Sequence, residues 1–259
     1  MPKHPEAELF RCPRCTHAFS RPDSIIEPET YQDSYFEEQH KRWFEHPNVE
    51  LFGRIADYIP KGASVLDVGC GKGDFLRFIR DIRPDLRLSG IDLSGTAHGD
   101  GIRFIRGDIL STEINEQFDA VVSLAVIEHI PDVKGFVQRL RRVTKARGIV
   151  AAMTLNDSSL LYALARAGRR VEVPLAFDRL YSKHHLHHFT RRSLRTVFTD
   201  AGFAVVSDFD HDAPIEAMDI PVKSGAADAV LRSGLRVVWK AAKVARRGYL
   251  QTIVCTSRE

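Results

Sequence analysis

Three aspartates, Asp67, Asp92 and Asp108, close or follow short apolar runs, and the first leads at once into alternating glycines, Gly69, Gly71 and Gly73. Glycines lack a Cβ and tolerate positive φ, so such a loop lets a ligand approach bare backbone. The helix expected from Asp74 adds unpaired N–H groups at its start. A dinucleotide fingerprint would place its third glycine at position 74, where this chain has Asp. Carboxylates here repel a pyrophosphate and suit a ligand carrying positive charge. Asp92, about twenty residues beyond the loop, can accept from both hydroxyls of a ribose. Histidines form the second reactive group: His129, then His184, His185, His187 and His188. Four histidines in five positions invite a metal, but no nearby cysteine or well-spaced acid supports one.

These side chains need a scaffold, and the hydrophobic patterning supplies it. β-Branched runs at 64–68, 87–93, 102–105, 118–124 and 148–154 alternate with helix-period segments at 75–82 and 133–145. Such alternation implies an α/β fold with a parallel sheet and right-handed crossovers. Ligands then belong at the carboxyl ends of the strands, where the acids lie. Further helices are expected at 160–168 and 193–201, with Thr190 a natural N-cap, and further strands at 203–207 and 250–256.

Outside this frame, residues 1–30 read as an irregular arm carrying a Cys12-x-x-Cys15 knuckle. The knuckle is half of a four-ligand zinc site, and His4 and His17 lack a standard spacing to complete it. It is therefore read as inert, and no metal is expected. Residues 31–60 are helical, broken at Pro47. Residues 61–259 form the main domain, with insertions at 156–189 and 210–249. The second insertion holds a basic amphipathic helix at 226–247. Leu231, Leu235, Val238, Ala242 and Ala245 make its apolar face, beside a stripe of Arg232, Arg236, Lys240, Lys243 and Arg247. It suits either packing with a solvated basic face or peripheral contact with an anionic membrane. Nucleic acid is not an expected partner, because no stacking platform accompanies the charge.

The 259 residues, 44% hydrophobic and 27% charged, fit a globular chain that needs no staples. Four cysteines do not make a disulfide framework, and the start of the chain lacks the apolar core of a signal peptide. A cytoplasmic location is expected, with the basic helix allowing attachment at the inner membrane face.

The pattern Asp67-x-Gly69-x-Gly71-x-Gly73 resembles the first motif of the class I S-adenosylmethionine (SAM)-dependent methyltransferases. Glu128-His129-Ile130-Pro131 and His185-Leu186-x-x-Phe189-Thr190-x-x-Ser193-Leu194 resemble segments of the ubiquinone and menaquinone-type members. The likeness covers about residues 52–209 and the last strand. It implies a Rossmann-like, doubly wound seven-stranded sheet, mostly parallel with the last strand antiparallel, and SAM as the cofactor. By the same resemblance Asp108 bonds the adenine amino group, Ile109 packs on the ring, and Leu93 and Leu124 line the cofactor site. The helical segment 31–60 becomes a lid, with Tyr31, Arg42 and His46 as its candidates.

Methyl transfer from a sulfonium rests mostly on orientation, and a base is needed only for a protonated nucleophile. For a hydroxyl acceptor His129 is the first candidate base, followed by His185 and His188. The divalent-cation pattern E-x-x-E-H is incomplete, since Ala125 stands in place of its first acid. The segment also lacks the N/D-P-P-Y/F sequence of base N-methylating enzymes and any Pro-Cys nucleophile. The expected function is O-methylation of a small or lipid-linked acceptor: a quinol, sugar or secondary metabolite. The alternatives are a SAM-binding regulatory protein without catalysis and, against the glycine spacing, a nicotinamide enzyme.

Overall fold

The computed structural model describes residues 1–22, 41–95, 97–220 and 225–258. Two strands open the chain, β1 (Ala7–Arg11) and β2 (Ala18–Pro22), and two helices follow, α1 (Lys41–Glu45) and α2 (Val49–Ala56). The central run is β3 (Ser64–Val68), α3 (Asp74–Ile82), β4 (Arg87–Asp92), β5 (Ile102–Arg106), β6 (Phe118–Leu124), α4 (Val133–Val143) and β7 (Thr144–Leu155). The remainder comprises α5 (Leu160–Arg170), α6 (Leu175–Leu180), β8 (His187–His188), α7 (Arg191–Asp200), β9 (Phe203–His211), α8 (Gly225–Ala245) and β10 (Leu250–Ser257).

Seven strands form one sheet in the order β5-β4-β3-β6-β7-β10-β9. All neighbours from β5 to β7 pair in parallel, and β10 runs antiparallel to both β7 and β9. Both faces of the sheet are buried. Along β3, Val65 joins one core with Leu51, Ile55, Phe75 and Leu76, while Leu66 and Val68 join the other with Phe136, Leu140 and Phe198. This is the period-two alternation of a strand covered by helices on both sides. Sequence order reverses between β3 and β6, and their carboxyl ends frame a cleft of the kind that binds ligands in open α/β sheets.

Local signals set the helix ends. Asn48 caps α2 by accepting from the Leu51 N–H, Asp132 caps α4 by accepting from Gly135, and Thr190 with Ser193 forms a reciprocal capping box on α7.

The arm read as irregular departs from that expectation. β1 and β2 form an antiparallel hairpin, and β8 extends it to a three-stranded sheet through Ala18–His188 and Phe19–His187. The hairpin turn is the cysteine knuckle itself, closed by Cys12 N–H to His17 O and Thr16 N–H to Cys12 O, with Thr16 at φ 63°. No Asn-Gly or Asp-Gly pair advertises such a turn. The strand at 203–207 runs on to His211 because a bulge between Val254 and Cys255 keeps β10 in register with it. Of the lid candidates, Tyr31 lies outside the described residues; Arg42 is in α1, which packs on the turn Ile215–Ala217, and His46 follows it. Among the described residues no helix is long and apolar enough to cross a membrane.

Candidate functional site

The cofactor side of the cleft is one local unit, strand β3, its glycine loop and the start of α3. Gly69, Gly71 and Gly73 all have left-handed φ values, 73°, 51° and 83°, a conformation that disfavours a Cβ. A Cβ on Gly69 would also collide with Val126, so the loops after β3 and β6 touch. Asp92, ending β4, receives the Gly71 N–H on Oδ2 at 2.8 Å and the Ser94 N–H and hydroxyl on Oδ1 at 2.8 and 2.6 Å. Asp67 is buried, and its Oδ1 has no hydrogen-bond partner among the described residues. Burial, then the nearby charges of Asp92 and Asp74, push its carboxyl up to about 8. An unpartnered buried oxygen beside two more carboxylates is a place for a cation, and the ammonium and sulfonium of SAM supply one.

The other sequence-predicted cofactor residues lie along the same edge. Leu93 is exposed and Leu124 half-buried, while Ile109 is buried in the second core. Asp108 Oδ1 accepts the Leu110 N–H at 2.9 Å, so this carboxylate also holds its own turn.

The acceptor side is assembled from distant segments. After β6, Ala125 takes a left-handed φ of 57°, a strained conformation for a residue with a Cβ, and the turn Ile127–His129 follows. This turn points Glu128 inward, where Thr154 of β7 donates to it at 2.8 Å. Burial raises the Glu128 carboxyl to about 7. His129 Nδ1 lies 2.7 Å from the His184 carbonyl oxygen, and His185 Nδ1 lies 3.2 Å from that of Leu180. A carbonyl only accepts, so in both rings Nδ1 carries a proton. The two rings are 5.1 Å apart. Burial lowers His185 to about 4, which keeps it neutral at physiological pH.

His188 does not join them at the cleft. It has no exposed surface, shares a hydrogen bond with Ser20 at 2.8 Å, and stands against Tyr181 as a wall of the hairpin sheet. The histidine pattern shows alternation within β8 and the loop before it; only burial separates the ring at the cleft from the ring behind it.

Several residues escaped sequence reasoning. Asp157, 1% exposed at its side chain, binds Arg11 at 2.6 Å, Arg166 at 3.1 Å and the Tyr181 hydroxyl, tying the hairpin to the domain. Trp239 of α8 stacks on Tyr249, just before β10, at 5.8 Å. No motif flags these contacts, since each joins segments far apart in the chain. In α8, Arg232 leaves the expected basic stripe: it is buried, paired with Asp228, and donates to the carbonyls of Ile215 and Met218.

Neither half suggests a resident metal. Cys12 and Cys15 are free thiols, His17 shares a hydrogen bond with His187 at 3.0 Å, and His4 Nε2 lies 3.1 Å from the Asp178 carbonyl oxygen. Among the described residues no group of three or more His, Cys, Asp or Glu side chains could hold an ion.

The strand order, the left-handed glycine loop and the strand-end acids together define the class I SAM-dependent methyltransferase fold, with SAM the cofactor the site fits. Residues 17–208 match the family described as a methyltransferase domain, and the chain belongs to that family. It is 34% identical over 118 residues to a ubiquinone biosynthesis O-methyltransferase of Rhodopseudomonas palustris, covering 42% of this chain and 46% of that one. It is 28% identical over 124 residues to a malonyl-[acyl-carrier protein] O-methyltransferase of Acetivibrio thermocellus, covering 44% of each. The matches thus span less than half the length of these curated relatives. Among solved structures, the Burkholderia thailandensis 1,6-didemethyltoxoflavin-N1-methyltransferase with bound 1,6-didemethyltoxoflavin and S-adenosylhomocysteine superposes over 98% of this chain and 100% of its own. The TM-score is 0.61 at 12% identity, a likeness of fold.

Proposed function

We propose that this chain methylates an oxygen of a small or lipid-linked acceptor such as a quinol, a sugar or a secondary metabolite. When bound, SAM supplies an electrophilic methyl group whose in-line displacement by oxygen leaves S-adenosylhomocysteine. The observation that carries the reading is the pair of imidazoles at the end of β6. Both are anchored through Nδ1 to backbone carbonyls, which orients each ring. An acceptor hydroxyl placed there gives its proton to His129 or His185 Nε2, as general base catalysis of an alcohol or phenol requires. Asp92 holds the ribose, Asp67 faces the positive charge, Asp108 and Ile109 bound the adenine end, and Leu93 and Leu124 line the cofactor site. Glu128, buried and bonded to Thr154, fixes the turn that presents His129. The names of the two curated relatives, both O-methyltransferases, support oxygen as the target.

The test is methyl transfer from radiolabelled SAM into host extract separated into lipid, small aqueous, protein and RNA fractions, with Asp92→Ala as control. Label in the lipid or small aqueous fraction above control is expected. Label confined to protein or RNA overturns the acceptor class; S-adenosylhomocysteine binding with no label in any fraction favours a SAM-binding regulator.

A further inference from the structure

The outer face of α8 is unusual for a surface helix. Val230, Val237 and Val244 are 71%, 67% and 88% exposed, and Leu231 beside them is 42% exposed. Their seven-residue spacing lets the row drift only about 20° per step, so they form one aliphatic ridge along the helix. Arg236, Lys240 and Lys243 run along that side of the helix at helical spacing, all exposed; among the described residues none makes a salt bridge within 4 Å, and Lys243 is near the half-buried Asp212 carboxylate. The single carboxylate of the helix, Asp228, is used by Arg232. The opposite face is fully employed: Trp239 donates to the Ala213 carbonyl and stacks on Tyr249, and Ala242 is buried. A helix tied down on one side thus offers cations and bare valines together on the other.

From this arrangement we infer that α8 docks on an anionic phospholipid surface. A merely solvated face needs no aliphatic ridge, and a purely electrostatic contact needs none either. Valines enter the acyl boundary while a flanking row of cations meets lipid phosphates, and the two requirements are met on adjoining strips of one rigid helix. Charge complementarity selects the occupant, since the exposed charged residues of the helix itself from Arg236 onward are all positive. The docking goes beyond methyl transfer and stands or falls separately from it, because binding to vesicles needs neither cofactor nor acceptor.

The experiment is co-sedimentation of the full chain with vesicles of phosphatidylcholine alone and with about 30 mol% phosphatidylglycerol. Three proteins are compared: the wild-type sequence, Arg236→Gln/Lys240→Gln/Lys243→Gln, and Val237→Asn/Val244→Asn. All five positions are solvent-exposed, and far-ultraviolet circular dichroism checks the fold. Binding is expected to the anionic vesicles only and to weaken with salt. The charge variant should lose roughly 100-fold in partition coefficient, at about tenfold or less per cation, and the valine variant should bind measurably less. No binding to anionic vesicles, equal binding to neutral ones, or unchanged binding by both variants overturns the inference. So does a concentration-dependent dimer that Val237→Asn/Val244→Asn dissolves while vesicles capture nothing, since the ridge would then serve a second copy.

Discussion

The two sides of the cleft are put together differently. The acids on the cofactor side, Asp67, Asp92 and Asp108, come from one stretch of strand, turn and helix, and each is placed by the end of its own strand. The imidazoles on the acceptor side come from residues 129 and 185, are held by the carbonyls of 184 and 180, and are backed by His188, which is bonded to Ser20 at the far end of the chain. The first arrangement forms wherever the local fold forms. The second exists only if the hairpin, the insertion after β7 and the turn after β6 all meet. It follows that the two halves should fail separately, and each experiment below damages one and reads the other.

The largest effect belongs to Asp92. Asp92→Ala removes the carboxylate that receives Gly71 and Ser94 and is assigned the ribose. Losing two charge-assisted bonds of about 1.5–3 kcal/mol each should weaken S-adenosylhomocysteine binding by about 10²–10⁴-fold. Calorimetry measures it, and unchanged affinity would sink the assignment of the cofactor half. Thermal stability should fall less than for Asp157→Ala, because the partners that Asp92 leaves behind are a loop N–H and Ser94 and not buried charges.

Asp157→Ala is the converse. Its carboxylate is buried between Arg11 and Arg166, whose side chains are 31% and 21% exposed, and it accepts the Tyr181 hydroxyl. Breaking such a pair from the buried side should cost about 3 kcal/mol. The expected result is a lower denaturant midpoint with nearly native cofactor affinity. If cofactor affinity fell in parallel, the two halves would be one cooperative unit and the comparison would fail.

Smaller again are the base substitutions. His129→Gln or His185→Gln should lower kcat by about 100-fold and leave S-adenosylhomocysteine affinity unchanged. The pH profile divides the candidates. With His185 held at about 4, a reaction that relies on it shows no acid limb between about pH 5 and 8. A limb near 7 would show that His185 is not the base.

The same contrast explains what the sequence discloses. The glycine spacing, each strand-end acid and the Thr190 cap are each local signals, written within a few residues of the element they mark, so the parallel sheet and the cofactor edge are legible directly. The hairpin is not, because β1 and β2 are five residues each and turn at a knuckle that reads as a metal motif. Nor is the fate of the histidines: the chain shows His185 and His188 three apart, and only pairing of β8 with β2 turns one ring into the core. Arg232 makes the point within one helix, where a residue that belongs to a basic stripe by periodicity is consumed by Asp228 and two carbonyls. Long-range pairing decides these cases, and single-segment patterns carry no record of it.

The finest test lies inside the cofactor half itself. In the ligand-free fold Asp67 is raised to about 8, against about 3.9 for a free carboxyl. A raised carboxyl favours the protonated form, so the fold binds more protons than the unfolded chain between those values. Its contribution to stability is therefore present below about pH 4 and declines as pH rises toward 8. A bound ammonium would pull the value back down, and S-adenosylhomocysteine should then expel a fraction of a proton at neutral pH. That release appears as a dependence of the binding enthalpy on the ionisation enthalpy of the buffer. Asp67→Asn should remove the dependence, flatten stability between about pH 5 and 8, and weaken binding only about tenfold. If the variant still released the proton, the cation would be sensed elsewhere on the acidic edge. The unpartnered Oδ1 of Asp67 would then belong to the packing of β3 and not to the ligand.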